Sequence, residues 1–295
     1  MANRQKNRLG IILFLLPVSV LYIAFFIYPI IFTFFLSVME WNGIQPMVFV
    51  GMDNFTTLFG TRAFRTAIRN NVIWALAAAF IQIPFAMLIA LILARQPKGW
   101  KLFRTLYFLP NVISGVALAM MWTALYNAEF GLVNYLLELM GMEHMTRNWL
   151  GEINTALPAV IISKQIYVGY FMVIILAGTM AIPKEFYEAA EIDGASIVQQ
   201  EFFITIPVFR GIMVTAGTLA VAFALRQFEE TFLMTAGGPA NSSTVMGLIM
   251  YRRMSAMRYG EAAATGVLLI VLGVLVIFGL QKLFGKSDAV AESQQ

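Results

Sequence analysis

Four ionisable side chains stand inside stretches that are otherwise almost wholly apolar: Lys164, Arg226, Glu229 and Glu230. Insertion scales put a charge near the centre of a membrane-spanning helix at a cost of about 2.5–3.5 kcal/mol, so such residues are seldom idle. Arg226 and Glu230 are four apart and, on one helix, would partly neutralise each other. Ser163, Tyr167 and Tyr170 share one helical face, and Phe223, Gln227 and Glu230 share another. Aromatic faces beside hydroxyl, amide and carboxylate groups suit a ring with apolar faces and a hydroxylated rim, the composition a sugar site would use. Lys164 and Arg226 would also suit an anion such as a sugar phosphate or uronate, but Glu229 and Glu230 match them in number. Bond-making chemistry has little support. There is no cysteine, the single histidine, His144, has no metal-ligand companion nearby, and no Ser-His-Asp or paired-carboxylate arrangement sits on a soluble scaffold. We therefore expect no catalytic residue, no metal and no resident cofactor.

A second constellation is a polar interruption from Ile182 to Pro207, which holds five of the sixteen acids: Glu185, Glu188, Glu191, Asp193 and Glu201. Its local signals predict a compact pair of helices over 183–206. Pro183 suits a first helical turn, and Glu185 is well placed near a positive helix N-terminus. Gly194 is a natural stop, because glycine tolerates the left-handed conformation just past a helix end. Ser196 with Gln199 forms a capping box that starts a second helix, and Pro207 sits where the next apolar span begins. Small Ala189 and Ala190 permit close approach, and the flanking carboxylates offer charge pairing. A structured knob of this kind is suited to docking a partner.

The elements that must position both constellations are membrane spans. The 295 residues are 60% hydrophobic and 12% charged, with mean hydropathy +0.77; soluble domains carry about 25% charge. Candidate spans are 9–38, 72–94, 106–126, 157–181, 211–235 and 262–284, each long enough for the roughly 20 residues that cross a bilayer. Continuous apolar runs of this length imply helices, because the backbone must satisfy itself in lipid. The first exceeds the apolar core of a cleaved signal peptide and is expected to tilt, or to bend at Pro17 and Pro29. Six spans place both termini on one side. With the termini inside, inner segments hold eleven lysines and arginines and outer loops hold seven. The short Arg95–Arg104 loop, with four bases and no acid, is the clearest sign. The positive charge, with a pI near 9.3, is thus orienting charge and no indication of nucleic-acid binding.

In the outer loops, Asp53–Asn70 reads as one interfacial amphipathic helix and Gly131–Met140 as another helix ended by Gly141. Thr235–Asn241 is a glycine- and proline-rich break. Gly285-Lys286-Ser287 mimics the tail of a phosphate loop, but Gly279 is one residue too far away and no strand precedes it. Lys282 and Lys286 read better as inner-face anchors, and the chain is not expected to bind ATP.

Glu188-Ala189-Ala190, Gly194, Ile204 and Ile206-Pro207 match in spacing the EAA signature of permease subunits of binding-protein-dependent ABC importers, with Ile206 where that family usually has leucine. Phe49–Phe55, Arg104–Pro110 and Thr235–Asn241 likewise resemble stretches of sugar-permease subunits, Ala236 standing where glycine is usual. The resemblance covers nearly the whole chain. It implies an all-α integral membrane protein, a single permease domain over 1–295 with the type I importer fold, six transmembrane helices and cytoplasmic termini. The 183–206 segment would be the coupling helices seated in an ATPase groove, through Glu185, Glu188, Ala189, Ala190, Asp193, Gly194 and Pro207. A maltose-type permease would form its substrate site from the fourth and fifth spans, at positions matching Ser163, Tyr167, Tyr170, Ala224 and Gln227, with Tyr167 and Ala224 departing from the maltose pattern. Lys164, Arg226 and Glu230 join these as pathway residues.

The partners so implied are a second permease subunit, two cytoplasmic ATPase subunits that bind ATP and Mg, an extracytoplasmic substrate-binding protein, a sugar and membrane lipid. The setting is a bacterial or archaeal cytoplasmic membrane. Two alternatives have their own chemistry. One is import of a sugar phosphate, glycerol phosphate or uronate-type anion. The other is an ion-coupled secondary transporter, for which Lys164 with Glu230 is the only candidate ion site.

Overall fold

The structure, a computed structural model, describes residues 2–179 and 182–284, without the side chains of 2–10, 12, 283 and 284. The last residues of the expected 157–181 span and the Gly285–Ser287 tripeptide therefore lie outside the described residues, as do the side chains of Arg4, Lys6 and Arg8.

The described residues are mainly helical. In order come α1 (Ala2–Tyr22), α2 (Tyr28–Ser37), strands β1 (Met39–Glu40) and β2 (Val48–Phe49), α3 (Asp53–Gly60), α4 (Arg62–Ala77) and α5 (Ile83–Ala94). Then follow α6 (Trp100–Phe108), α7 (Gly115–Leu125), α8 (Leu132–Leu139), α9 (Ala156–Gln165), α10 (Gly169–Thr179), α11 (Glu185–Ile192), α12 (Ile197–Gln200) and α13 (Ile206–Val208). Last are α14 (Arg210–Leu225), α15 (Glu229–Thr235), α16 (Met246–Ser255) and α17 (Tyr259–Phe284). Among the described residues, four helical stretches are long and apolar enough to cross a membrane: Leu13–Ser37, Arg62–Ala94, Ala156–Thr179 and Tyr259–Lys282. Two more are reached if each of two bent pairs is one span, Trp100–Asn111 with Gly115–Leu125 and Ile197–Val208 with Arg210–Leu225.

Three helices widen into a π turn, at Ile23–Ile27, Ala78–Gln82 and Glu201–Thr205. Each ends two residues ahead of a proline: Pro29, Pro84 and Pro207. Proline lacks the N–H of the ordinary helical bond and crowds the carbonyl four residues back, so the turn before it opens. Pro17 lies inside α1 with no such widening.

The chain divides into two compact units. The first combines the residues up to Thr61 with Ile249–Leu268. Here β1 and β2 pair antiparallel, Met39 opposite Phe49. Asn54 Nδ2 donates to Ser37 O (2.9 Å) and Met39 O (2.8 Å), tying α3 to the end of α2. Tyr259 packs on Trp41 with ring centroids 5.4 Å apart and donates its N–H to Trp41 O. Glu261 takes Arg253 and Arg258 at 3.2 and 3.3 Å.

The second unit runs from Arg62 to Leu248 and from Leu269 on. Its core packs α5 against α10 and α14 against α4, around buried Trp74, Ala86, Val160, Met172, Ile175 and Ala220. Small residues recur along these contacts, which is how helices approach closely where lipid removes the hydrophobic drive between them.

Four expectations are corrected. Asp53–Asn70 is not one interfacial helix: it breaks at Thr61, and its second half is the start of the 62–94 span. The 106–126 span is not straight, because the chain turns by 95° between Asn111 and Gly115. The 211–235 span ends at Leu225 and resumes as a separate short helix, α15. The last helix starts at Tyr259, three residues ahead of the expected 262, and α16 was not foreseen.

Candidate functional site

Two apolar helices are interrupted where the intramembrane charges lie. Between α9 and α10 the chain leaves the helix over Ile166–Val168, and between α14 and α15 over Arg226–Phe228. Gly169 marks the first break: a Cβ there would run into Tyr107 O and Phe108 Cα, so only glycine lets the chain pass the Arg104–Pro110 segment. Interrupted helices strand backbone groups that lipid cannot satisfy, and each needs a partner from elsewhere. Gln82 Nε2 donates to Tyr167 O (3.4 Å) at the first break. At the second, Asn71 Nδ2 donates to Leu225 O (2.8 Å), while Asn71 Oδ1 accepts Met246 N–H (2.8 Å). Asn70 Nδ2 donates to Ser242 O and Thr244 O at 2.7 and 2.8 Å. Both asparagines are fully buried.

The two breaks line a cavity of about 650 Å³, which also takes in Trp74 and Gln82 from the 62–94 span and Asn111 from the bend after α6. Lys164, Tyr167, Tyr170, Phe223, Ala224, Arg226 and Gln227 all reach it. Tyr170 stands beside Phe223, centroids 5.8 Å apart, and the Arg226 guanidinium lies 5.5 Å from the same ring. Trp122 Nε1 donates to Tyr167 Oη (2.6 Å), which fixes the phenol under the Lys164 ammonium. Lys164 pairs with Glu230, and Gln227 Nε2 donates to the other oxygen of that carboxylate. Glu230 is buried behind the cavity wall while Lys164 is partly open to it. A larger concavity of about 740 Å³ exists in the first unit, around Glu40, Trp41, Asp53 and Arg258. None of the intramembrane charges faces it.

Most of the expected residues thus converge, with two exceptions. Ser163 does not line the cavity: its hydroxyl donates to Val160 O (2.8 Å) one turn back and is buried. Arg226 and Glu230 do not neutralise each other, because the helix break separates them and Glu230 is taken by Lys164. Glu229 points instead to the start of α7, where a Cβ on Gly115 would lie 2.8 Å from its Oε2. Asn70, Asn71, Gln82 and Trp122 were missed. Their signal was present, since an Asn-Asn pair at the head of an apolar run and an amide within it both demand partners.

The 183–206 segment has the expected form. Gly194 sits at φ +76°, Ser196 and Gln199 make the reciprocal capping box, and α11 has no buried residue. The Arg95 guanidinium holds Glu201 at 2.6 Å, and Tyr187 and Thr205 share a hydrogen bond of 3.0 Å.

A polar cavity between interrupted membrane helices is the architecture of a transport protein, in which irregular backbone is tolerated only where it is packed in protein or lines a path. The chain belongs to the family of binding-protein-dependent transport system inner membrane components, whose model matches residues 82–287. It is therefore a multi-pass membrane protein of a transporter family. It is 35% identical over 277 residues to the probable ABC transporter permease protein YurN of Bacillus subtilis, covering 92% of this chain and 94% of that one. It is 30% identical to the trehalose/maltose transport system permease protein MalF of Thermococcus litoralis, over 91% and 90% of the two chains. In fold it is similar to a chain of a bacterial ABC transporter involved in import of the acidic polysaccharide alginate, with TM-score 0.82, 24% identity and coverage of 97% and 98%.

Proposed function

We propose that this chain is the translocating subunit of an ATP-driven importer that carries a sugar or oligosaccharide delivered by a binding protein. The observation that carries the reading is the cavity between the two breaks, where Tyr170 and Phe223 offer ring faces and Gln227, Lys164 and Arg226 offer polar groups. Relatives whose names assign them trehalose/maltose, diacetylchitobiose or xylose/arabinose support the substrate class.

Taking α6 with α7 and α14 with α15 as one span each gives six in a single permease domain, with both termini and the 183–206 knob on the cytoplasmic side of a bacterial or archaeal membrane. The knob's outward apolar side chains, including Phe186, Ile192, Val198 and Phe203, support a docking role. An ATPase pair holding ATP and Mg would take Glu185, Glu188, Ala189, Ala190, Asp193, Gly194 and Pro207 as its contact, and a second permease subunit would complete the path. Closure of the ATPases moves the knob, and α12–α14 passes that motion to the broken fifth span.

The test is uptake of radiolabelled maltose, trehalose and maltotriose into vesicles holding the whole co-purified complex. Uptake that requires ATP and is lost in Tyr170→Ala with Gln227→Ala is the expected result. Uptake that persists without ATP on an ion gradient would replace this reading with an ion-coupled transporter.

A further inference from the structure

The charge around the cavity is unbalanced. Two cations line it, Lys164 and Arg226, and no carboxylate does. They are not equivalent. Lys164 is paired with Glu230, which also accepts from Gln227, so that group is neutral as a whole. Arg226 has no acid within ion-pairing distance among the described residues; it is exposed, and its guanidinium rests against the Phe223 ring. Cation–π contact stabilises the guanidinium weakly but leaves its charge in place. A helix break inside an apolar span is a costly location for an unmatched charge.

The guanidinium is planar and presents a fork of donors that fits a carboxylate or phosphate two-point, which an ammonium cannot do. Tyr170 packs against the same Phe223 ring, centroids 5.8 Å apart, so an aromatic surface adjoins the cation. We propose that the cavity takes an anionic sugar, with Arg226 gripping its carboxylate or phosphate and the Tyr170–Phe223 pair covering the ring. This rests on the reading of the cavity as a sugar path and narrows the class of sugar. Lys164 is the reserve cation, its charge balanced by the Glu230 carboxylate.

The experiment is equilibrium dialysis with the whole purified complex in detergent, without binding protein, using two matched pairs: trigalacturonate against maltotriose, and glucose 6-phosphate against glucose. In the wild type, at least one anion should bind about ten-fold or more tightly than its neutral counterpart, the scale of a charge-assisted two-point contact. The pair that shows the preference says whether the charge is a carboxylate or a phosphate. Arg226→Gln should abolish the preference, the anion losing far more affinity than its neutral counterpart. Arg226→Lys, which keeps the charge without the fork, should retain part of it. Glu230→Gln should enlarge it by releasing Lys164. Equal or tighter binding of the neutral sugars in the wild type, or an undiminished preference in Arg226→Gln, would sink the proposal and leave the sugar reading standing. If none of the four ligands binds, the sugar reading falls, and this inference with it.

Discussion

The knob over 183–206 and the cavity between the two broken spans are built by opposite means. The knob is shaped mainly by neighbours in sequence: Gly194 turns the chain at φ +76°, and Ser196 and Gln199 cap each other three residues apart, with Arg95–Glu201 a tie to a distant segment. The cavity is held by groups far away along the chain, Asn71 with Leu225 and Met246, Gln82 with Tyr167, and Lys164 with Glu230. The knob faces outward with no buried residue in α11, while the cavity's supports are buried. Damage to the knob should therefore spare the fold and disturb its use. Damage to the cavity's supports should reach the fold itself.

Asn71→Leu is the strongest way to break this contrast. It leaves Leu225 O and Met246 N–H without their partner in a buried setting, a loss of about 2–3 kcal/mol. A clear fall in melting temperature of the detergent-purified complex, together with loss of uptake, is expected; unchanged melting would mean the second break is supported elsewhere. Gly194→Asp and Glu188→Lys address the opposite pole. Both should insert and assemble, with melting within about 1 kcal/mol of wild type, while ATP hydrolysis no longer drives uptake. Normal coupling in both would count heavily against docking at the knob.

Ala236 sharpens the comparison with a smaller effect. It occupies the left-handed region at φ +48° in the turn after α15. Ala236→Gly should stabilise by about 0.5–1 kcal/mol, because the Cβ penalty of that conformation disappears. Ser163→Ala should do least, with uptake changing less than about two-fold, since the hydroxyl only returns to its own helix. A large loss of uptake in Ser163→Ala would mean that the hydroxyl turns into the path during transport.

What could be read from the sequence follows the same division. Glycine at 194, the Ser196–Gln199 pair and the apolar runs act within a few residues, so the knob and the existence of membrane spans were legible in advance. Continuity of the spans was not. Hydropathy registers Arg226, Gln227, Glu229 and Glu230 as a polar dip but cannot tell a break in the helix from a polar turn within it. Pairing Arg226 with Glu230 assumed one unbroken helix, and the break removed that assumption. Lys164, Tyr167, Tyr170 and Gln227 were found because polar groups in lipid are conspicuous. Asn70 and Asn71 were equally conspicuous, but they sat at the edge of an apolar run, where Asn70 was read as the end of an interfacial helix and Asn71 fell between elements.

The π turn at Ala78–Gln82 has a mechanical consequence. A phenylalanine stands four positions ahead of each proline that follows such a turn, Phe25, Phe80 and Phe203, and each is largely exposed. In the second span the loosened turn ends at Gln82, the residue that reaches across to Tyr167 O. A rod with one slack coil flexes there first. Tilting of the lower half of that span about Pro84 would thus be felt by the neighbouring interrupted helix at its own weakest point.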